Sequence, residues 1–141
     1  MTTGAIYRVP VDLETMQTTG LPEQLYQEGF SQQFDISSDG TRMTLSGGPM
    51  RQDDLYVSRA DGSGVRQITD DAFRNLEPIF DPDGERIHFF SNRNGDYEGW
   101  TCLIDGGGMQ MVTDGWRLID TPAINPVDGS LAFGADQEWY V

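Results

Sequence analysis

The sequence predicts an all-β chain, a β-propeller of four-stranded antiparallel blades present as a partial ring. Three observations carry that expectation. Asp-Gly dipeptides fall on a grid at Asp39-Gly40, Asp61-Gly62, Asp83-Gly84, Asp105-Gly106 and Asp128-Gly129, spaced 22, 22, 22 and 23 residues apart. Apolar and polar residues alternate between the turns, as in Arg86-Ile87-His88-Phe89-Phe90, which puts Ile87 and Phe89 on one strand face. No stretch has helical periodicity.

Asp and Gly tolerate positive φ, so Asp-Gly between apolar runs is a strong hairpin signal. A turn every 22 residues on one side implies two strands between turns, and hence a continuous meander. The turn contexts alternate. Ile36-Ser37-Ser38-Asp39-Gly40 matches Phe80-Asp81-Pro82-Asp83-Gly84, and Ile124-Asn125-Pro126-Val127-Asp128-Gly129 carries one inserted residue. Arg59-Ala60-Asp61-Gly62 matches Leu103-Ile104-Asp105-Gly106 in a second pattern. The period is therefore 44 residues, the size of a four-stranded propeller blade.

Strands can be assigned within that period, lettered A to D from the inside outward. Residues 5–19 read as a worn C–D pair, with strands at 6–9 and 15–18. Residues 30–70 read as a blade with strands 31–36, 41–46, 55–59 and 66–69. Residues 74–113 read as a second blade with strands 76–80, 86–91, 99–104 and 110–113. Residues 118–141 read as an incomplete blade ending inside strand C at 138–141. The whole chain, 1–141, is then a little over three blades, whereas rings typically close with four to eight. Two solutions stay open: a portion of a longer propeller, or identical chains assembling into one ring.

Composition excludes several roles. The 141 residues hold 23 Asp and Glu against 9 basic residues, all Arg, for a net charge of -14. Such a surface repels phosphate backbones, so no nucleic-acid partner is expected. No apolar run is long enough for a membrane-spanning helix, so no membrane insertion is expected. Met1 to Arg8 lacks the basic start and apolar core of a signal peptide. The acid surplus fits either adaptation to high salt or an Arg-preferring genome with Asp-rich turns.

Catalytic and metal chemistry is poorly supplied. His88 is the single His and Cys102 the single Cys, and both fall inside strands, where a structural role is expected. Asn92-Arg93-Asn94-Gly95-Asp96 offers oxygen ligands at alternate positions. It lacks the Gly and Glu that an EF-hand loop requires, and Asn94-Gly95 reads better as a B–C hairpin turn. Gly106-Gly107-Gly108 joins two strands and so lacks the helix N-terminus of a phosphate cradle. No catalytic residue, metal site or cofactor is expected. In a propeller the D–A and B–C connections gather at one mouth, and here they carry Arg51, Asp71, Arg74, Asn75, Arg93, Trp116 and Arg117. Arg and Trp are enriched at interface hot spots, so this mouth is the candidate binding surface. The alternative is that its arginines pair with nearby aspartates.

Phe80-Asp81-Pro82-Asp83-Gly84-Glu85-Arg86-Ile87, Ser91-Asn92-Arg93-Asn94-Gly95, Asp105-Gly106-Gly107 and Val112-Thr113 together resemble the TolB-type, WD40-like β-propeller repeat. The resemblance covers roughly residues 30–141, with Ser37-Ser38-Asp39-Gly40 as a degenerate copy. It implies a six-bladed ring, of which this chain holds about half, so a homodimer completing the ring is one expectation. It also implies a non-catalytic scaffold binding a protein or peptide at the mouth. The alternative is the propeller portion of an enzyme, a prolyl-oligopeptidase-like peptidase or an oligogalacturonate lyase, with catalytic residues outside this chain. TolB-like proteins are often exported, although no export signal is seen here.

Overall fold

A computed structural model describes residues 5–26, 30–48, 52–115, 117–118 and 122–136. Every regular element among them is a β-strand. β1 (Ile6–Arg8), β2 (Val11–Asp12), β3 (Gln17–Thr18) and β4 (Glu23–Tyr26) come first. A four-stranded antiparallel blade follows, with β5 (Phe30–Ile36), β6 (Arg42–Gly47), β7 (Asp54–Arg59) and β8 (Arg66–Gln67) in sequential order. The second blade repeats that order with β9 (Asn75–Phe80), β10 (Arg86–Asn94), β11 (Asp96–Leu103) and β12 (Gln110–Met111). These are the strands that the 44-residue period anticipates, and the fold is a partial β-propeller.

The five grid turns share one piece of chemistry. The Oδ1 of Asp39, Asp61, Asp83, Asp105 and Asp128 accepts the backbone N–H two residues on, at 2.8–3.0 Å. The glycine after each aspartate then takes φ between 71° and 90°. Two of these glycines also serve packing. A Cβ at Gly62 would lie 2.4 Å from the Leu25 carbonyl oxygen, and one at Gly106 would lie 2.8 Å from that of Ile68. Each C–D turn thus abuts the outer strand of the preceding sheet, and only glycine admits that approach.

The period is also visible between blades. The Gln33 side-chain oxygen accepts the Glu77 N–H at 3.1 Å, while its Nε2 donates to Glu77 Oε1 at 2.5 Å. Ser38 Oγ donates to the Pro82 carbonyl at 2.8 Å, again to its counterpart one blade later. Phe80 N–H donates to Asp35 Oδ2 at 2.8 Å. Glu77 has φ 54°, a left-handed conformation rare for a side-chain-bearing residue, and it sits where β9 slips register against β10.

Among the described residues, two apolar layers lie between sheets. Leu55 and Val57 of β7 pack with Phe80, Ile87, Phe89 and Cys102 of the second blade, and Trp100 lies against this layer. Ile6 and Tyr26 pack with Met43 and Leu45 of the first blade, and Tyr56 borders them. Tyr56 and Trp100 therefore occupy equivalent places in successive layers.

The start of the chain pairs differently from expectation. Strand 6–9 was expected to pair with 15–18, but β1 pairs with β4, Ile6 opposite Tyr26 and Arg8 opposite Glu23. β2 and β3 form their own hairpin. Pro10 cannot donate a ladder hydrogen bond, and Asp12 Oδ1 accepts the N–H groups of Glu14 and Thr15, which closes a local turn. The hairpin is an insertion between a C-type and a D-type strand.

The last unit is an A–B pair in two pieces. β13 (Arg117–Leu118) pairs with β16 (Ala135–Asp136), and β14 (Ala123–Ile124) pairs with β15 (Leu131–Ala132). The expected strand C at 138–141 lies outside the described residues. The residue added before Asp128-Gly129 is offset by one fewer after it, so six residues separate Ile124 from Leu131, as they do Ile36 from Met43. Val127 N–H bonds to Asn125 Oδ1, and Asn125 N–H still reaches the Ser130 carbonyl at 2.8 Å.

Candidate functional site

The D–A connection after β8 and the B–C turn between β10 and β11 meet at one mouth. Gly95, with φ 103°, closes that B–C turn between Asn94 and Asp96, which aims Asn92 and Arg93 toward the neighbouring connection. Asp71 Oδ1 accepts the Phe73 N–H at 3.0 Å, a tight turn that leaves its Oδ2 for Arg93.

Arg93 is the centre of the arrangement. Its Nη2 donates to Asp71 Oδ2 and to Asn75 Oδ1, both at 2.9 Å, and its Nε donates to Ser91 Oγ at 3.0 Å. The guanidinium carbon lies 4.9 Å from the Trp100 ring centroid, 5.6 Å from Phe73 and 5.9 Å from Phe89. A planar cation held by a carboxylate and three aromatic rings is fixed in place. Asn75 is fully buried, and its Nδ2 donates to Asp71 Oδ1 at 3.2 Å and to Thr69 Oγ1 at 3.3 Å.

Arg74 stands beside this cluster. Its Nε and Nη2 both reach Asp53 Oδ2, at 2.9 and 2.8 Å. Its backbone N–H donates to Asn92 Oδ1 at 2.9 Å, which ties the two connections together. The hydrogen bond to Asp53 raises the Arg74 pKa further. Phe73, 39% exposed, forms an apolar element of the mouth.

Beneath the mouth lies a clasp that occurs in both blades. Thr69 Oγ1 accepts the Leu55 N–H and donates to Asp54 Oδ1, each at 2.9 Å. Thr113 Oγ1 accepts the Gly99 N–H at 2.8 Å and donates to Glu98 Oε2 in a short bond. The threonine fastens the end of strand D to the N-terminal half of strand C. Burial raises the Asp54 pKa, opposed by the Thr69 hydrogen bond.

Four of the seven sequence-predicted residues, Asp71, Arg74, Asn75 and Arg93, come together. Arg93 and Arg74 do so as partners of Asp71 and Asp53. Arg117 opens β13, while Arg51 and Trp116 lie outside the described residues. Sequence reasoning missed Asp53, Phe73 and Asn92 at the mouth. Asp53 and Asn92 stand beside acidic or turn residues that masked them, and only Phe73, an apolar residue in a polar connection, carried a signal.

The nucleophile and base candidates are enclosed. Cys102 is buried, and burial pushes its thiol up to about 11. Burial, and then the Arg86 charge, lower the His88 pKa. Among the described residues no three His, Cys, Asp or Glu side chains converge as a metal-binding group.

No family model matches the chain. An uncharacterised protein of Agrobacterium fabrum is 30% identical over 110 residues, 78% of this chain and 36% of that protein. The Tol-Pal system protein TolB of Helicobacter hepaticus is 31% identical over 105 residues, 74% of this chain and 25% of that protein. The chain thus spans about a quarter to a third of the curated relatives it matches. The structure of a putative TolB from Agrobacterium tumefaciens superposes with TM-score 0.76 at 22% identity, covering 97% of this chain and 52% of that one. TolB from Acinetobacter baumannii gives 0.67 at 19% identity, covering 87% and 30%. More distant folds include a nidogen/laminin complex, at TM-score 0.67 and 14% identity over 83% of this chain and 45% of that one. An oligogalacturonate lyase from Vibrio parahaemolyticus gives 0.54 at 14% identity, over 86% and 33%. With the repeat, the four-stranded blades and two sequence relatives in agreement, the chain belongs to the TolB-type β-propeller family.

Proposed function

We propose that the chain is a non-catalytic propeller scaffold that binds a protein or peptide at the mouth formed by Asp71, Phe73, Arg74, Asn75 and Arg93. The observation that carries this reading is the fixed, charge-compensated platform at that mouth. Two arginines are neutralised by Asp53 and Asp71, and half-exposed Phe73 stands among them. A preorganised patch of Arg and aromatic side chains loses little entropy on docking a partner. Structural neighbours named as TolB and as a nidogen/laminin complex support a protein partner. Arg51, Trp116 and Arg117 stay candidates for this surface on the sequence alone.

The test is selection of binders from a displayed random-peptide library, followed by titration against variants. Phe73→Ala and Arg74→Glu should weaken the selected peptides about tenfold or more. Asp61→Ala, on a C–D turn, should leave them unchanged. Binders indifferent to Phe73 and Arg74 would move the site elsewhere.

The lyase neighbour favours a second reading, the propeller portion of an enzyme whose catalytic residues lie outside this chain. A hydrolase or lyase motif in adjoining coding sequence would select it.

A further inference from the structure

The face that the second blade turns toward the last blade carries three enclosed polar side chains with no hydrogen-bond partner: Arg86, His88 and Thr101. Leu55 and Val57 of β7 pack on Phe80, Ile87 and Phe89, which identifies the face that a blade turns toward its successor. Thr44 lies opposite Val57, and strand alternation adds Arg42, so these three residues share that face of the first blade. One 44-residue period later the same places hold Arg86, His88 and Thr101, with His88 directly opposite Thr101.

In the first blade these places are satisfied within the protein. The Arg42 guanidinium lies 5.8 Å from the Phe80 ring, and Thr44 Oγ1 donates to the Tyr56 carbonyl at 3.2 Å. Val57 has no polar atom to satisfy. In the last blade the place of Phe80 passes to Ile124, which has no ring to offer Arg86. Arg86 Nη1, His88 Nδ1 and Thr101 Oγ1 are each shut off from solvent and unpartnered. Thr101 as a whole is only 3% exposed. Ile79 and Leu103, the cross-strand neighbours of His88 and Arg86, border the group with apolar side chains.

The charge is uncompensated as well. Arg8, Arg74 and Arg93 form salt bridges with Glu23, Asp53 and Asp71, whereas Arg86 forms none among the described residues. The Asp83 carboxylate is held down first by a hydrogen bond to Asp81 and by the Glu85 N–H, with the Arg86 charge a lesser cause. Burial, and then the Arg86 charge, keep the His88 imidazole neutral beside a fixed cation. A guanidinium, a hydroxyl and an imidazole N–H are donors that can converge on one oxygen-bearing anion, and a low-dielectric surround strengthens such bonds.

We infer that Arg86, His88 and Thr101 form a site for a small anion, an oxyanion or a carboxylate, held on the face between the second and last blades. Arg86 supplies the charge. The Thr101 hydroxyl and the Nδ1-protonated imidazole of His88 supply neutral donors. The site is separate from the mouth, because Phe89 and Trp100 beneath Arg93 stand on the opposite face of the same strands.

His88 is the single His, so its imidazole signals in a proton–carbon NMR correlation spectrum read the site directly. Titration with sodium phosphate or sodium acetate, at neutral pH and constant ionic strength, should shift those signals along a saturable curve. Tighter saturation by phosphate identifies a phosphate-type ligand, and tighter saturation by acetate a carboxylate; either supports the site. Arg86→Gln removes a charge-assisted bond and should weaken binding about tenfold or more. Thr101→Val installs the side chain that the first blade carries at this place, so the blade should still fold, and binding should weaken about threefold or more. A shift that rises linearly with both anions overturns the proposal. So does saturation with equal affinity in the parent chain and in Thr101→Val, whether or not Arg86→Gln folds.

Discussion

Replacing Thr69 by valine keeps the shape of the side chain and removes its hydroxyl. Three groups lose a partner: the Leu55 N–H, the Asp54 carboxylate and the Asn75 amide. Leu55 is fully buried and Asp54 is 5% exposed, so solvent replaces these bonds poorly. An unsatisfied buried N–H costs about 1–3 kcal/mol, and a lost bond to a charged acceptor about 1.5–3 kcal/mol. Asp54 keeps the Gln67 amide at 3.2 Å and Asn75 keeps Asp71, which limits the loss. The expected destabilisation is about 2–4 kcal/mol. Urea unfolding followed by tryptophan fluorescence measures it, with an unchanged m-value confirming that the same surface unfolds. Thr113→Val breaks the equivalent clasp in the next blade. The two variants share no partners, so their effects should add. A loss below about 0.5 kcal/mol for Thr69→Val would refute the reasoning, because the clasp would then be no better than water.

Other outcomes are specified by the same geometry. Trp100→Ala removes an aromatic side from the second apolar layer and the ring beneath Arg93, and should cost about 3 kcal/mol in the same unfolding assay. Asp39 is held down to about 2, first by the Ser37 hydroxyl and then by Thr41. A depressed carboxylate stabilises the fold above its ordinary range near 3.8 and loses that contribution as pH falls toward 2. Stability measured across that window should therefore decline more gently in Asp39→Asn than in the parent chain. Asp54, raised by burial, acts in the opposite sense, its folded form favouring the proton, so its contribution falls as pH rises through the range just above 3.8. The buried Cys102 thiol should resist a disulfide reagent at pH 8 in the native protein and react once urea unfolds the blade.

The blades were legible because their signals are local. Each grid aspartate bonds to a backbone N–H two residues away, so the turn is written within four residues and survives in sequence. The hairpin at Asn94-Gly95 is of the same kind. The start of the chain was misread for the converse reason. Pairing β1 with β4 depends on Ile6 meeting Tyr26 across an inserted hairpin, a contact between distant residues. The mouth was half legible. The propeller's loop geometry brings Asp71, Arg74, Asn75 and Arg93 together, but the role of Arg93 depends on Phe73, Phe89 and Trp100, which come from three separate elements. The threonine clasp was visible only as a repeated Ile-Thr and Val-Thr. Its meaning required knowing that Asp54 and Glu98 precede strand positions facing those hydroxyls.

The shift of Asp128-Gly129 by one position within the last A–B turn has a practical consequence. Val127 is 91% exposed, yet Ile124 still lies opposite Leu131 and Ala123 opposite Ala132. Six residues separate Ile124 from Leu131, as they separate Ile36 from Met43, so the residue added before Asp128-Gly129 is balanced by one fewer after it and the strands keep their register. An epitope or fluorophore-binding peptide grafted between Pro126 and Asp128 would therefore report on the protein from a site that leaves the blade's register intact.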